Sequence, residues 1–265
     1  MKALKITLIS VGCVLLALLL VVGGYVLYVV LQYSRIEDNL SLQIENNDAA
    51  AQIDKTSFSI MTYNIGFGAY STDFSFFMDS GTMKDGTAVS GTGSKAKDKE
   101  TVIKNTDGAI GAAKEVNPDF LFLQETDVKS TRARGVNQLE KFTSAFTSSA
   151  YVYAENFHSA YLFYPFSDPH GKTNAGIVTL SRYKINQSVR RSFPVDESFP
   201  TRFFDLDRCF SVSRINLDGD KAGKQLVLIN VHLSAYDEGG LIRAKQLEML
   251  NGVLKEERDK GNYVV

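Results

Sequence analysis

The chain has 265 residues, of which 44% are hydrophobic and 22% charged, the composition of a globular protein. Its net charge of −1 and pI near 6.3 exclude a global basic field, so any affinity for a polyanion would have to come from local patches. Of the two cysteines, Cys13 lies in an apolar N-terminal run and Cys209 is alone in the rest of the chain, which excludes a disulfide within a folded domain.

The N-terminal apolar run predicts a single membrane-spanning helix. No charged residue interrupts positions 6–31, a stretch longer than the ~20 residues that cross a bilayer. A cleaved signal peptide is the main alternative, but this run far exceeds the ~7–15-residue apolar region of such peptides, and no small-residue cleavage site follows it. We therefore expect residues 1–34 to form an uncleaved membrane anchor.

Charges at the two ends of this run indicate its orientation. Lys2 and Lys5 precede it, whereas Arg35 is followed by Glu37 and Asp38. Since positively charged flanks favour the cytoplasmic side, the N-terminus is expected in the cytoplasm. The sequence thus predicts a single-pass protein of the cell membrane whose main domain lies outside the cytoplasm.

Two segments without a regular apolar pattern come before the first helix of this domain. Residues 35–55 have little to bury and are predicted to form a polar stalk, so the domain is placed at 56–265. Residues 66–99 are predicted to form a long loop, the first half of which is aromatic. Those aromatic residues either cover the edge of the core or form a lip that faces substrate or membrane. The residues are Phe67, Tyr70, Phe74, Phe76 and Phe77.

The domain alternates apolar segments of strand length with amphipathic helical segments, the pattern of an α/β fold. Predicted strands lie at 58–65, 119–125, 151–153, 174–181, 189–193, 209–215 and 226–233. Predicted helices lie at 101–116, 135–147 and 239–258.

Three of the strands end in polar side chains of different chemistry: Asn64, Glu125 and His232. An amide, a carboxylate and an imidazole that converge suit hydrolysis of a phosphate ester on a hard metal ion. Mg²⁺ retains waters and needs only one or two protein carboxylates. Each residue also has a structural alternative, since a glutamate after a strand is often only solvated and a histidine can simply cap a strand end. Together they predict a candidate active site.

Four motifs in order resemble those of the endonuclease/exonuclease/phosphatase superfamily, over roughly residues 58–265. They are Thr-Tyr-Asn-Ile at 62–65, the strand at 119–125, Asn-Ala-Gly-Ile-Val-Thr-Leu-Ser-Arg at 174–182 and Asn-Val-His-Leu at 230–233. The resemblance implies a four-layer αββα sandwich and a divalent metal, Mg²⁺ or Mn²⁺, held by Glu125. It further implies that Asn64 places water or a phosphate oxygen, and that His232 contacts the scissile phosphate or assists the leaving group.

One part of the superfamily pattern is missing. Its members continue after the histidine strand with a helix, a strand that runs into Gly-Asp-x-Asn, and a terminal Asp-His pair. This chain has the helix, begins the next strand at Asn262 and stops at Val265. We therefore expect a C-terminally truncated domain that lacks the general base and a second acidic group, and that is inactive and poorly stable as it stands.

Candidate substrate-binding residues are His170, Asn174 and Arg208. His170 lies in a loop close to Asn174, and loops often carry function, although loop histidines are commonly just solvated. Arg208, like Arg132 and Arg134, could clamp a phosphate because guanidinium groups bind phosphate with two hydrogen bonds. Pairing with its acidic neighbours in the chain is the alternative for Arg208.

These observations predict a membrane-anchored, Mg²⁺-dependent phosphoesterase that hydrolyses a phosphodiester. The anchor and the near-neutral charge favour a phospholipid substrate, and a nucleic acid is the second choice. A non-catalytic surface-binding protein on the same fold is the alternative from a different functional class. No obligate protein partner is inferred.

Overall fold

The computed structural model describes residues 2–53, 55, 57–198, 201–203, 206–235 and 238–265. Its helices are α1 (Lys2–Gln32), α2 (Lys99–Val116), α3 (Gln138–Ala145) and α4 (Leu241–Asp259). Its strands are β1 (Leu40–Ser41), β2 (Ile44–Glu45), β3 (Ile60–Asn64), β4 (Ser80–Thr82), β5 (Ala88–Ser90), β6 (Phe120–Asp127), β7 (Ala150–His158), β8 (Asn174–Ser181), β9 (Gln187–Ser192), β10 (Cys209–Asn216), β11 (Gln225–Val231) and β12 (Tyr263–Val264).

Two five-stranded sheets carry the domain, and each predicted strand and helix is present within a few residues of its expected bounds. Sheet I has the order β2-β7-β8-β6-β3, and sheet II has the order β1-β9-β10-β11-β12. The pairs β3–β6 and β11–β12 are parallel, and the other pairs in these sheets are antiparallel. The strands β4 and β5 form a separate hairpin in the long loop before α2.

Strand β6 lies inside sheet I and is buried on both faces, as its continuous apolar run predicts. Successive side chains of a strand point to opposite faces. Phe120 and Phe122 pack between the sheets with Ile215 and Leu228 of sheet II. The alternate side chains, such as Leu121, belong to the cluster on the other face of sheet I.

The helices close the two outer faces. In α2, Ala109, Ile110 and Ala113 pack on sheet I, together with Phe142 of α3. In α4, Val253 packs on sheet II. The layers are therefore helix, sheet, sheet, helix, and the predicted αββα sandwich is confirmed.

Segment 35–55 differs from the prediction of a polar stalk, because it belongs to both sheets. Leu40 of β1 pairs with Arg190 of β9, and Ile44 of β2 pairs with Val152 of β7. Ala50 is 5% exposed in a small cluster that also includes Ile44. Backbone pairing at sheet edges and a few apolar side chains are sufficient to dock this polar segment on the domain.

Helix α1 is a candidate membrane span. Of the helices in the described residues, it is the one long and apolar enough to cross a bilayer, and its most apolar window has no buried residue. An N-terminal signal sequence meets the same criteria. The last two turns of α1 contact the domain, where Val29 is buried against Ala160 and Phe203.

Candidate active site

The three predicted strand ends meet at one edge of the sandwich. Asn64 ends β3, which runs parallel to β6 and pairs with it up to Gln124, so Asn64 lies beside Glu125. Asn64 Nδ2 donates a hydrogen bond of 3.0 Å to Glu125 Oε1. His232 follows β11 of the other sheet, and its Nε2 is 3.7 Å from the same oxygen. The predicted convergence of Asn64, Glu125 and His232 is therefore what the structure contains.

The backbone at Glu125 departs from regular strand geometry. The pairing of β6 with β8 shifts register between Leu123 and Thr126, and Glu125 has a φ of 54°. A positive φ is uncommon for a residue other than glycine and costs of order 1–3 kcal/mol. The irregularity leaves the Glu125 side chain 23% exposed while Thr126 is fully buried.

A glycine in β8, opposite this irregularity, allows the neighbouring strand β7 to pack closely. Gly176 pairs with Thr126 on one side and with Glu155 of β7 on the other. A Cβ atom on Gly176 would lie 2.4 Å from the Ala154 carbonyl oxygen and 2.5 Å from the Tyr153 ring. The motif that begins at Asn174 thus contains a glycine because no larger side chain fits there.

The orientation of the Asn64 amide follows from its two partners. Its Oδ1 accepts a hydrogen bond of 2.9 Å from the Gly66 backbone N–H, which identifies that atom as the oxygen. Its nitrogen then faces Glu125. Asn64 therefore positions the carboxylate by donating to it, and its oxygen keeps one lone pair available for a further contact.

His232 is held by contacts to both ring nitrogens. Arg208 Nη1 is 3.1 Å from Nε2, and the Asn156 amide is 3.1 Å from Nδ1. A guanidinium can only donate, so Nε2 accepts and the neutral ring carries its proton on Nδ1. The Asn156 atom placed at Nδ1 is the amide nitrogen Nδ2, so this tautomer requires the amide to be turned so that its oxygen faces the ring proton. Burial, together with the positive charges of Arg208 and Arg132, lowers the pKa of His232 to about 3.

A buried amide network links the two sheets directly below the site. Gln124 Nε2 donates a hydrogen bond of 2.7 Å to Asn230 Oδ1 across the sheet interface. Asn230 Nδ2 donates to the carbonyl oxygens of Val178 at 2.9 Å and Leu123 at 3.3 Å. Both amide side chains are at least 90% buried. Because each buried donor has a partner, the network fixes how the strand that carries Glu125 sits against the strand that precedes His232.

A buried ion pair supports the other side of Glu125. Arg132 donates hydrogen bonds of 2.8 Å from Nε and Nη2 to the two oxygens of Asp127. The Arg132 guanidinium also lies 4.3 Å from the centre of the Phe67 ring. Burial is the largest single influence and acts to lower the pKa of Arg132, but the charge and hydrogen bonds of Asp127, together with Glu125 and Tyr70, outweigh it and the net shift is upward. Arg132 therefore stays charged and is committed to Asp127, which contradicts its predicted role as a phosphate clamp.

Two further predicted residues lie elsewhere than expected. His170 is 4% exposed, with Nδ1 2.9 Å from the Ser94 carbonyl oxygen and Nε2 3.2 Å from Thr173 Oγ1. Burial, with the charge of Arg132, lowers the pKa of His170 to about 4. His170 is thus a neutral core residue and neither the predicted substrate contact nor a solvated loop histidine. Arg134 donates to the backbone oxygens of residues 96 and 97.

The other two predicted substrate-binding residues, Asn174 and Arg208, lie in different surroundings. Asn174 is half-buried at the start of β8, where its Oδ1 accepts a hydrogen bond of 3.0 Å from the Tyr153 hydroxyl and its Nδ2 lies 3.3 Å from Glu155. Arg208 is 3% exposed and contacts His232, so it lies at the site. Of its acidic neighbours in the chain, Asp207 accepts from the Ile36 backbone N–H and approaches Arg190 at 3.9 Å, whereas Asp205 lies outside the described residues. Pairing of Arg208 with an acidic neighbour therefore stays a prediction.

An open cleft of about 640 Å³ reaches Asn64 and Glu125 from solvent. Its walls are the turn after β3, Tyr70 and one face of α2 from Lys104 to Ala109. Lys104 is the cationic residue among those that line it.

The residues present fit a partly hydrated divalent ion. Within the described chain there is no group of three or more His, Cys, Asp or Glu side chains that could enclose a metal. Mg²⁺ does not require such a cage, because it keeps several waters and is commonly held by one or two carboxylates plus substrate phosphate. Glu125 Oε1 accepts from Asn64, whereas no hydrogen bond from the described residues reaches Oε2. A partly exposed carboxylate oxygen at a cleft is the type of ligand atom that this ion prefers.

The supporting residues Gln124, Asp127, Asn156 and Asn230 were not assigned roles from the sequence. A signal for them exists, because each lies in one of the strands β6, β7 and β11 next to at least one apolar residue. A polar side chain in a buried strand requires a partner. A search for partners would have paired Asp127 with the nearby Arg132.

The comparisons with known proteins identify the family. The model of the Endonuclease/Exonuclease/phosphatase family matches residues 61–256, which is more than half of the chain. Similar solved structures include a humanized TDP2 from D. rerio, with 16% identity and a TM-score of 0.46 over 78% of this chain and 62% of that one. An endonuclease/exonuclease/phosphatase from Beutenbergia cavernae has 16% identity and a TM-score of 0.44 over 72% and 42% of the two chains. ANGEL2, a 2′,3′-cyclic phosphatase, has 15% identity and a TM-score of 0.44 over 80% and 49%.

The chain therefore spans less than two thirds of the length of each of these structures. No curated protein sequence matches it significantly. The family match contains Asn64, Glu125, Asn174 and His232, the residues on which the sequence resemblance rests. The chain belongs to the Endonuclease/Exonuclease/phosphatase family.

Proposed function

We propose that this protein is a membrane-anchored, Mg²⁺-dependent phosphoesterase that hydrolyses a phosphodiester. The observation that carries the proposal is the contact of Glu125 Oε1 with Asn64 at 3.0 Å and with His232 at 3.7 Å, at an open cleft in a chain of this family. The carboxylate, amide and imidazole come from three strands and two sheets. Such convergence is expected of a site that holds one phosphoryl group.

Each residue has a role that its contacts support. Glu125 would hold the ion, with Oε2 available to it, and Asn64 keeps the carboxylate oriented. When bound, Mg²⁺ or Mn²⁺ neutralises charge on the phosphoryl oxygens. Arg208 supplies a guanidinium beside His232, so the two can face a phosphate together. Asn156 contacts Nδ1 of His232 and so supports the tautomer whose Nε2 lone pair accepts from Arg208.

The substrate class is proposed from the anchor and the charge. The last two turns of α1 pack against the domain, which would keep the cleft close to a lipid surface. The net charge of −1 offers no broad attraction for nucleic acid. We therefore favour a phospholipid-type phosphodiester over a nucleic acid, in a single-pass protein of the cell membrane with this domain outside the cytoplasm.

The test separates metal binding from turnover. Mn²⁺ binding to the chain in detergent micelles is measured by electron paramagnetic resonance. Mn²⁺- or Mg²⁺-dependent hydrolysis of bis(p-nitrophenyl) phosphate and of a phospholipid is measured on the same chain. Glu125→Gln should weaken binding at least tenfold, because it removes the ligand charge without changing shape. Glu248→Gln, which makes the same change on an exposed face of α4, is the matched control.

Three outcomes are informative. Weakened binding and lost hydrolysis in Glu125→Gln alone support the proposal. Metal binding that depends on Glu125 without any turnover would favour the alternative of a non-catalytic binding protein. Equal binding by Glu125→Gln and Glu248→Gln would refute the assignment of the metal ligand.

A further inference from the structure

The loop between β7 and β8 exposes three aromatic side chains in succession. Phe163 is 49% exposed, Tyr164 59% and Phe166 86%. No charged residue occurs between His158 and Asp168. A contiguous apolar surface of this kind on a protein marks an interaction site. The feature is called the aromatic loop below and comprises residues 161–166.

This loop is attached to the end of α1 that adjoins the domain. The Tyr25 hydroxyl donates to the Tyr161 carbonyl oxygen at 3.2 Å, and the Tyr161 N–H donates to the Tyr28 hydroxyl at 3.1 Å. The rings of Tyr25 and Phe163 pack edge to face, with centroids 5.2 Å apart. The aromatic loop therefore lies at the level of Tyr25 along the helix.

The length of the apolar run indicates where the membrane surface falls. Residues 6–31 form 26 helical positions, or about 39 Å at ~1.5 Å each, against a hydrocarbon core of ~30 Å. About 9 Å, or roughly six residues, is in excess. The excess is accounted for on the domain side, because Val29 is buried in protein, whereas the stretch before it is exposed. The outer boundary of the hydrocarbon core is then near Tyr25.

We infer that the aromatic loop is a second membrane contact, which inserts Phe163, Tyr164 and Phe166 into the interfacial layer of the bilayer beside α1. The inference rests on the anchoring part of the proposed function. Aromatic side chains are enriched at this depth because their rings tolerate both the headgroups and the first acyl carbons. The occupant of this surface is thus the lipid interface.

The inserted loop would also orient the active site. His158, at the end of β7, pairs with Asn174 at the start of β8, and the aromatic loop connects these two strands. Asn174 lies at the same end of sheet I as Glu125, since Ala175 pairs with Asp127. Tyr164 further contacts Phe77 of the long loop, with ring centroids 5.8 Å apart. The domain would then be attached to the membrane at two points, α1 and the aromatic loop. With both attached, the strand ends that bear the candidate site face the lipid headgroups.

The chain contains no tryptophan, so single substitutions give unique fluorescent reporters. Phe166→Trp reports on the loop and Tyr164→Trp is its second reporter. Leu15→Trp reports on the centre of α1. Tyr263→Trp is the control for the far end of the domain, since Tyr263 pairs with Leu226 at the opposite end of β11 from His232.

The full chain is reconstituted in dioleoyl phosphatidylcholine vesicles that contain lipid brominated at shallow or deep acyl positions. The loop reporters should be blue-shifted, quenched more by shallow than by deep bromines, and at least twofold less accessible to aqueous acrylamide than Tyr263→Trp. Interfacial side chains lie roughly 5–10 Å into the headgroup and acyl boundary, which predicts this order. Leu15→Trp should be quenched most by deep bromines.

The reporters distinguish the two ways of failing. If Leu15→Trp is quenched but both loop reporters behave like Tyr263→Trp, the second contact is refuted and the anchor stands. If Leu15→Trp is also unquenched, the anchoring part of the proposed function fails together with the inference. None of these readouts depends on hydrolysis.

Discussion

Arg132→Met tests how strongly the fold below the candidate site depends on one buried ion pair. Asp127 is fully buried and receives two hydrogen bonds of 2.8 Å from Arg132, which is itself 5% exposed. When one partner of such a pair is removed, the other charge stays buried without compensation, and the free energy of unfolding falls by about 3–5 kcal/mol. Methionine retains much of the packing against Phe67, so the loss reports mainly on the charge.

This magnitude is large for a folded domain. A domain of 150–250 residues loses roughly 2–4 °C in Tm per kcal/mol, so we expect a decrease of about 6–20 °C. The assay is urea and thermal unfolding of the chain in detergent micelles, followed by near-ultraviolet circular dichroism. A second readout is Mn²⁺ binding, since Asp127 is two residues from Glu125 and a displaced strand end would weaken the metal site.

Two variants control the interpretation. Arg191→Met breaks the exposed contact with Asp38, in which the side chains are 25% and 40% exposed, and should cost less than about 1 kcal/mol. Asp127→Asn combined with Arg132→Met removes both charges and should recover at least half of the loss. The reasoning is wrong if Arg132→Met costs no more than Arg191→Met, or if the double variant is no more stable than the single one.

Three further perturbations follow from the packing and the charges. Gly176→Ala should destabilise the fold by about 1–3 kcal/mol through overpacking, as measured by urea unfolding. The control is Gly111→Ala in α2, where a Cβ meets nothing within 4 Å; it should be neutral or raise stability by up to ~1 kcal/mol. Asn230→Ala should cost about 1–3 kcal/mol in the same assay, because it leaves buried amide partners unsatisfied; a cost near zero would contradict the network. Arg214 lowers the pKa of Glu257 from 4.5 to about 2, so this carboxylate contributes stability that is present above pH 4.5 and lost as pH falls toward 2. Over that window wild type should lose stability more steeply than Glu257→Gln, and parallel curves would refute the pair.

The positions of the strands and the placement of the site residues at their ends were predictable for a physical reason. Buried strands read as continuous apolar runs, and a polar residue at the end of such a run must lie at an edge of the sheet. Asn64, Glu125 and His232 each end a run of this kind, which places them on the rim of the core from pattern alone. Their distances from one another were not accessible in this way, because a pattern does not state which strands pair.

The stalk prediction failed because edge pairing leaves little trace in composition. Strands β1 and β2 are two residues long, and Leu40 remains exposed. Main-chain hydrogen bonds to β9 and β7 hold them, and any non-proline sequence offers those groups. The prediction for His170 failed for a different reason. A loop residue can fold back into the core, and an imidazole can satisfy the hydrogen-bonding needs of both its nitrogens there.

The backbone at Glu125 supports a functional role on grounds other than similarity. A strand of apolar residues gains nothing from a register shift or from a φ of 54° at a non-glycine residue, and such strain persists only where surrounding contacts impose it. Here the surrounding contacts are identifiable. Gln124 is fixed to Asn230 on one side, and Asp127 is fixed to Arg132 on the other. Two residues lie between these anchored positions: Thr126 is fully buried, and Glu125, with its positive φ, bulges outward and supplies the carboxylate that meets Asn64 and His232. A sequence optimised only for stability would replace Glu125 with glycine or remove the shift, so this position is consistent with the proposed role of Glu125 as a metal ligand.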